Sequence, residues 1–127
     1  MKKRIVSTFL LASLVAVLAG CGHWGHRERG PEVNPKAYSA VLLDNNQVYF
    51  GKLDQASSAF PVLTDVYYIQ SQQYQETKAV TNILVRRGNE LHGPDRMFLN
   101  ARHILFIEPV GPNSKVAQLI EADKSKH

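Results

Sequence analysis

The stretch Val62-Leu63-Thr64-Asp65-Val66-Tyr67-Tyr68-Ile69 is apolar, β-branched or aromatic at all but one position, Asp65. That composition suits a pleated, half-buried surface, so the stretch reads as a strand. Pro61 opens it, and the glutamine-rich run Gln70 to Thr77 follows as an expected exposed, mobile connection. Upstream, Tyr38 to Leu43 and Gln47 to Leu53 flank the turn-forming Asp44-Asn45-Asn46, which predicts a hairpin. Gly51, inside the second of these runs, predicts a bulge or a sharp bend. Downstream come three more strand-like runs: Ala79 to Arg86, Met97 to Asn100, and Ile104 to Glu108, the last stopped by Pro109. Short strands at this spacing predict an all-β fold, a small and strongly bent barrel of five to six strands. Past Gly111-Pro112, Val116, Leu119 and Ile120 fall on one face of a short C-terminal helix beginning near Ser114. A helix of roughly ten residues is marginal alone, so it should dock on the barrel.

The N-terminus has a different character. Met1-Lys2-Lys3-Arg4 is basic, Ile5 to Leu18 is almost wholly apolar, and Ala19-Gly20 precede Cys21. A basic head, an apolar run and small residues at its end define a secretory signal. The apolar run is shorter than the roughly 20 residues a spanning helix needs. Leu18-Ala19-Gly20-Cys21 resembles the lipobox of bacterial lipoproteins. The resemblance implies that the Cys21 thiol receives a diacylglycerol, that the chain is cut before it, and that the new amino group is acylated. Two or three acyl chains anchor stably where one binds only marginally. The outer-membrane sorting pattern of Gram-negative lipoproteins implies, from Gly22 in place of Asp after the cysteine, an outer-membrane location facing the periplasm.

This divides the chain into a cleaved signal peptide (1–20), a lipidated flexible tether (21–36), a small β-barrel domain (37–111) and a C-terminal helix and tail (112–127). The tether is rich in Gly, His, Arg and Pro, and its one large apolar residue near the anchor is Trp24. Such a segment buries too little surface to offset its ordering entropy. His23 and His26, which flank Trp24, read as parts of this solvated linker.

The chain carries 15 Lys and Arg against 11 Asp and Glu, a balance of +4. Loss of Lys2, Lys3 and Arg4 with the signal leaves 12 against 11, or +1, so the charge argues against a nucleic-acid partner. Cys21 is the single cysteine, which rules out an intrachain disulfide and a cysteine-type zinc site.

Two further resemblances bear on the domain. Asp44 to Leu53, Val62 to Tyr68, Arg87 to Asp95 and Ile104 to Glu108 look like segments of small membrane-anchored bacterial proteins, a likeness that names a fold and brings no activity. Asp44, Gly51 and Leu53, with Arg87-Gly88, are similar to the two motifs of the Sm-like barrels. That similarity implies a bent SH3/Sm-like barrel with edges able to form rings. Asn45 stands where the Sm-like pattern has Gly, and the asparagine of RNA-binding members has no counterpart among Ser57 to Leu63.

The polar residues offer few chemical candidates. Glu90 and His92 lie two apart, with Asp95 just beyond the Gly93-Pro94 turn. A carboxylate beside an imidazole can do acid-base work or bind a metal, which makes hydrolytic or metal-dependent activity one alternative reading, Sm-like nucleic-acid binding being the other. The expectation is that Glu90 and His92 pair to fix the loop. No catalytic residue, metal or cofactor is expected. Lys78, Arg86, Arg87, Arg96 and Arg102 read as a solvated face, and His103 as a boundary residue before an apolar strand. Tyr67 and Tyr68 are candidate contact residues. The function expected is that of a non-enzymatic adaptor whose partner is another envelope protein or a second copy of the chain.

Overall fold

The computed structural model describes residues 30–126. The expected signal sequence, the lipobox-like segment with Cys21, and the expected tether as far as Arg29 lie outside the described residues. The chain forms β1 (Tyr38–Leu43), β2 (Val48–Asp54), β3 (Val62–Gln73), β4 (Val80–Arg86), β5 (Arg96–Phe98), a 3₁₀ turn (Ala101–His103), β6 (Ile104–Pro109) and α1 (Lys115–Lys124). All pairings are antiparallel, in the order β4-β3-β2-β1-β6, with β5 paired to the first residues of β3. The described residues are thus mostly β, with six strands and one short C-terminal helix.

The expected barrel closure is not observed: β4 and β6 end the strand order, and no ladder joins β5 to β6 among the described residues. The cause is local. β5 is three residues long. Asn100 then caps the 3₁₀ turn, its side-chain oxygen accepting from Arg102 N at 3.1 Å, and the chain turns away before a further ladder forms. One apolar cluster nevertheless draws on β5 and β6 together. Val41, Leu53, Leu63, Val66 and Leu99 are buried together, with Met97 from β5 and Ile107 from β6 packed against them.

The β1–β2 turn forms as the Asx residues dictate: Asn46 takes a left-handed φ of 63° and Gln47 N donates to Asn45 Oδ1 at 3.0 Å. The bend at Gly51 is also present. The β2–β3 register shifts between Phe50 and Lys52, where Gly51 opposes an extra residue in β3. A Cβ on Gly51 would stand 2.7 Å from Leu63 Cγ and 2.9 Å from the Thr64 carbonyl oxygen, so the two strands approach closely here.

The glutamine-rich run differs from expectation. Gln70 to Gln73 continue β3 and pair with Ile83 to Val80, leaving a turn only between Tyr74 and Ala79. Both faces of this projecting ribbon are exposed. Backbone hydrogen bonds, with Ser71 Oγ donating to Asn82 Oδ1 at 2.8 Å, maintain the ladder without a core beneath it.

Helix α1 begins where Ser114 accepts from Ala117 N at 3.2 Å, a standard N-cap. It docks on the sheet through Ile120, which is buried.

Candidate functional site

A polar network lies beneath the C-terminal end of α1, centred on the bulge in β3. Asp65 is the bulge residue and sits in the left-handed region at φ 51°, which Asp tolerates better than most residues. Its carboxylate accepts from the Tyr38 hydroxyl and faces Arg86 at 3.2 Å, Lys124 at 3.7 Å and Lys52 at 3.8 Å. The side chain is only 17% exposed. Burial pushes the Asp65 carboxyl up, but the Tyr38 hydroxyl, Lys124, Arg86 and Lys52 together outweigh it and hold the group below its ordinary value of 3.8. The Tyr38 phenol is raised in turn by burial and by its bond to Asp65.

Aromatic rings line the same place. Tyr38 and Tyr67 meet edge to face at 6.2 Å, Lys124 lies 4.8 Å from the centre of the Tyr38 ring, and Arg86 lies 5.9 Å from that of Tyr67. Tyr67 is fully buried and donates its hydroxyl to Asp123 of α1 at 3.1 Å. Burial, then this bond, pushes the Tyr67 phenol up to about 12. Lys124 to Asp65 and Tyr67 to Asp123 thus fasten helix to sheet, while Lys52 and Arg86 tie β2 and β4 to Asp65 within the sheet. Asp65 is held ionised and fully engaged, an arrangement suited to structure rather than to proton transfer.

Beside this network is an open cavity of about 710 Å³, with Arg86, Arg87, Arg96, Asp65, Asp95 and Asp123 among its lining residues. Arg86 is bonded to Asp65, Arg96 to Asp95 at 2.7 Å, and Arg87 to Glu90 at 2.7 Å. Of the five basic residues read from the sequence as one solvated face, Arg86, Arg87 and Arg96 come together here, each matched by an acid, and Lys78 and Arg102 do not line this cavity.

The structure separates the other sequence-derived candidates. Glu90 does not pair with His92. It accepts from Arg87 Nε and from Gly88 N, both at 2.7 Å, and the Gly88 amide first, then the Arg87 guanidinium, hold its carboxyl down at about 2. These donors lie close in sequence and are fixed by the left-handed Gly88, at φ 121°, so they meet Glu90 before the exposed His92 does. Asp95 is taken by Arg96, whose hydrogen bonds and charge hold its carboxyl below the usual range. Glu90, His92 and Asp95 form no constellation. Among the described residues no group of three or more His, Cys, Asp or Glu side chains is placed to hold a metal ion.

Tyr68 and Glu90 do share a small hollow with Tyr49 and Arg87, whose guanidinium lies 5.9 Å from the centre of the Tyr49 ring. Tyr67, expected as a contact residue, is corrected to a core residue. Its ring points to the face that α1 covers, whereas Tyr68, half-buried, points to the other. His103 is a boundary residue in the literal sense: its Nδ1 lies 2.6 Å from Asp44 Oδ2 and ties the 3₁₀ turn to the β1–β2 turn.

The sheet has two terminal strands of unlike character. β6 carries a register shift against β1, with Leu105 as the extra residue, and it ends on Pro109. Bulges and proline are devices that blunt an edge against further pairing. β4 has neither. Val80 to Arg86 match Gln73 to Tyr67 in seven consecutive pairs without a shift, Val80 is 64% exposed, and no strand lies on the outer side of β4 among the described residues. Periodicity gave no warning of this, because the edge position of a strand is a property of the assembled sheet.

No protein-family model matches the sequence, and comparison with curated proteins finds no significant similarity. No described helix is long and apolar enough to cross a membrane.

Proposed function

We propose that this chain is a lipid-anchored envelope protein, held through Cys21 to the outer membrane on its periplasmic side, and that its domain is a non-enzymatic adaptor. The adaptor binds by strand addition along β4. Its partner is an extended segment of another envelope protein or the β4 strand of a second copy. In strand addition, backbone hydrogen bonds supply affinity and alternate side chains supply selectivity.

The observation that carries this reading is the regular, unblunted edge of β4, beside the exposed apolar side chains Ile69, Tyr74 and Val80 on the same hairpin. The ordering of charges supports it as well: the arginines near β4 are matched within the domain, so the edge offers backbone and apolar contact rather than a field for polyanions. The finer fold reading is an SH3/Sm-like barrel with an incomplete seam. It is supported by the order β4-β3-β2-β1-β6 and by the single cluster that draws on β5 and β6 together.

A photo-crosslinking side chain placed at Asn82, in the lipidated protein in intact cells, tests the proposal. The expected result is one discrete adduct, to another envelope protein or to a second copy. No adduct at Asn82, or a smear indistinguishable from that given by Lys115 on α1, overturns it.

A further inference from the structure

Gly30 lies so close to the β2–β3 loop that a Cβ there would stand 2.3 Å from Ser57 Oγ. The next residue, Pro31, lines a shallow hollow of about 280 Å³ with Ala56, Ala101, Leu105 and Phe106 among its walls. The tether therefore leaves the domain beside β6.

That is also where apolar side chains face outward. Leu105 is 60% exposed and Phe106 43%, and Phe60, which follows the loop touching Gly30, is 59% exposed. The bulge at Leu105 turns this side chain away from the core that Ile104 and Ile107 help to fill. The run from Ile104 to Ile107 has no charge, and the exposed Arg102 precedes it in the 3₁₀ turn. Pro31 lies ten positions after Cys21, a stretch that spans at most about 36 Å when fully extended. A domain tied by so short a chain meets its own bilayer at a high effective concentration.

We infer that Leu105 and Phe106, with Phe60 at their margin, form a membrane-facing surface that lays the domain on the phospholipid bilayer carrying its anchor. The inference rests on the reading of Cys21 as lipidated. β4 and β6 are different ends of the strand order, so the proposed partner edge and the lipid-facing surface are carried by different strands.

The test uses the full acylated chain in vesicles of phosphatidylethanolamine and phosphatidylglycerol with brominated acyl chains. Trp24 is the only tryptophan, so Trp24→Phe removes the background and Phe106→Trp introduces a reporter. Leu105→Trp is a second reporter should Phe106→Trp fail to fold, and the exposed Leu91→Trp serves as reference. Bromination is expected to quench the reporter at 106 or 105 by about twofold or more and to leave the one at 91 unchanged. Equal quenching at 91, or none at 106 and 105 in protein whose mass shows the acyl chains, overturns the surface and leaves the anchor standing. A blue-shifted emission that follows protein density rather than bromination assigns the patch to a second copy and likewise overturns it. A mass without acyl chains overturns the anchor and this inference with it.

Discussion

Tyr67, at the centre of β3, and Asp123, in the last turn of α1, are joined by a 3.1 Å hydrogen bond between residues 56 positions apart. The bond holds the helix over the sheet and leaves the Tyr67 ring buried. Tyr67→Phe keeps the ring and removes the bond. A hydrogen bond to a charged group contributes about 1.5–3 kcal/mol, so chemical denaturation should show a loss of that order. The Tyr67 phenol is raised to about 12, so its bonded form contributes stability that is complete below pH about 10 and is lost as pH rises toward 12. Equilibrium unfolding followed across that window should show a decline in the native protein, smaller in Tyr67→Phe.

Asp65→Asn separates charge from backbone at the bulge, because Asn tolerates the left-handed conformation as Asp does. The amide keeps the shape and leaves Arg86, Lys124 and Lys52 without their carboxylate. The expected cost is about 1–3 kcal/mol. The folded-state carboxyl lies below 3.8, so its contribution is present above the unfolded value and is lost as pH falls through the folded one. Acid unfolding of the variant should accordingly begin from a lower plateau and show a shallower slope below pH about 4.

Gly51→Ala forces a Cβ against Leu63 and the Thr64 carbonyl. Overpacking of this kind costs about 1–3 kcal/mol. Thermal unfolding should register it as a drop of roughly 4–8 °C per kcal/mol for a domain this small. An unchanged midpoint would show that β2 and β3 do not approach as closely as described.

Glu90→Gln tests the loop between β4 and β5. The Glu90 carboxyl, at about 2, stays ionised through the ordinary acid range, so its hold on Gly88 and Arg87 persists until pH falls from about 4.5 toward 2. Amide exchange should accelerate at Gly88 in the variant, with the core amides of β1 and β2 unchanged. His92→Ala should leave the loop as it is, since His92 is exposed and Glu90 is engaged elsewhere.

The features legible in the sequence are those with local causes. The Asx residues at 44–46 define the first hairpin, Gly51 the bend, and Ser114 the start of the helix. What sequence could not supply is pairing between distant residues. Asp65 is conspicuous as a charge inside the most apolar strand, but its partners lie at Tyr38, Lys52, Arg86 and Lys124, and only the folded sheet brings them together. Alternation places Tyr67 and Tyr68 on opposite faces without saying which face α1 will cover. The Gln70–Gln73 segment looks like a connection because its side chains bury nothing, yet its backbone pairs fully with β4. The open seam follows from the shortness of β5 and the cap at Asn100, neither of which periodicity encodes.

The central claim is that this domain is anchored through lipid on Cys21. The most direct measurement is the intact mass and N-terminal peptide of the protein extracted from the membranes of cells expressing the full chain. The account predicts a chain beginning at Cys21 and carrying two or three acyl chains, and predicts that Cys21→Ala yields an unacylated precursor. A chain that retains residues 1–20, or one cut elsewhere and free of lipid, would contradict it.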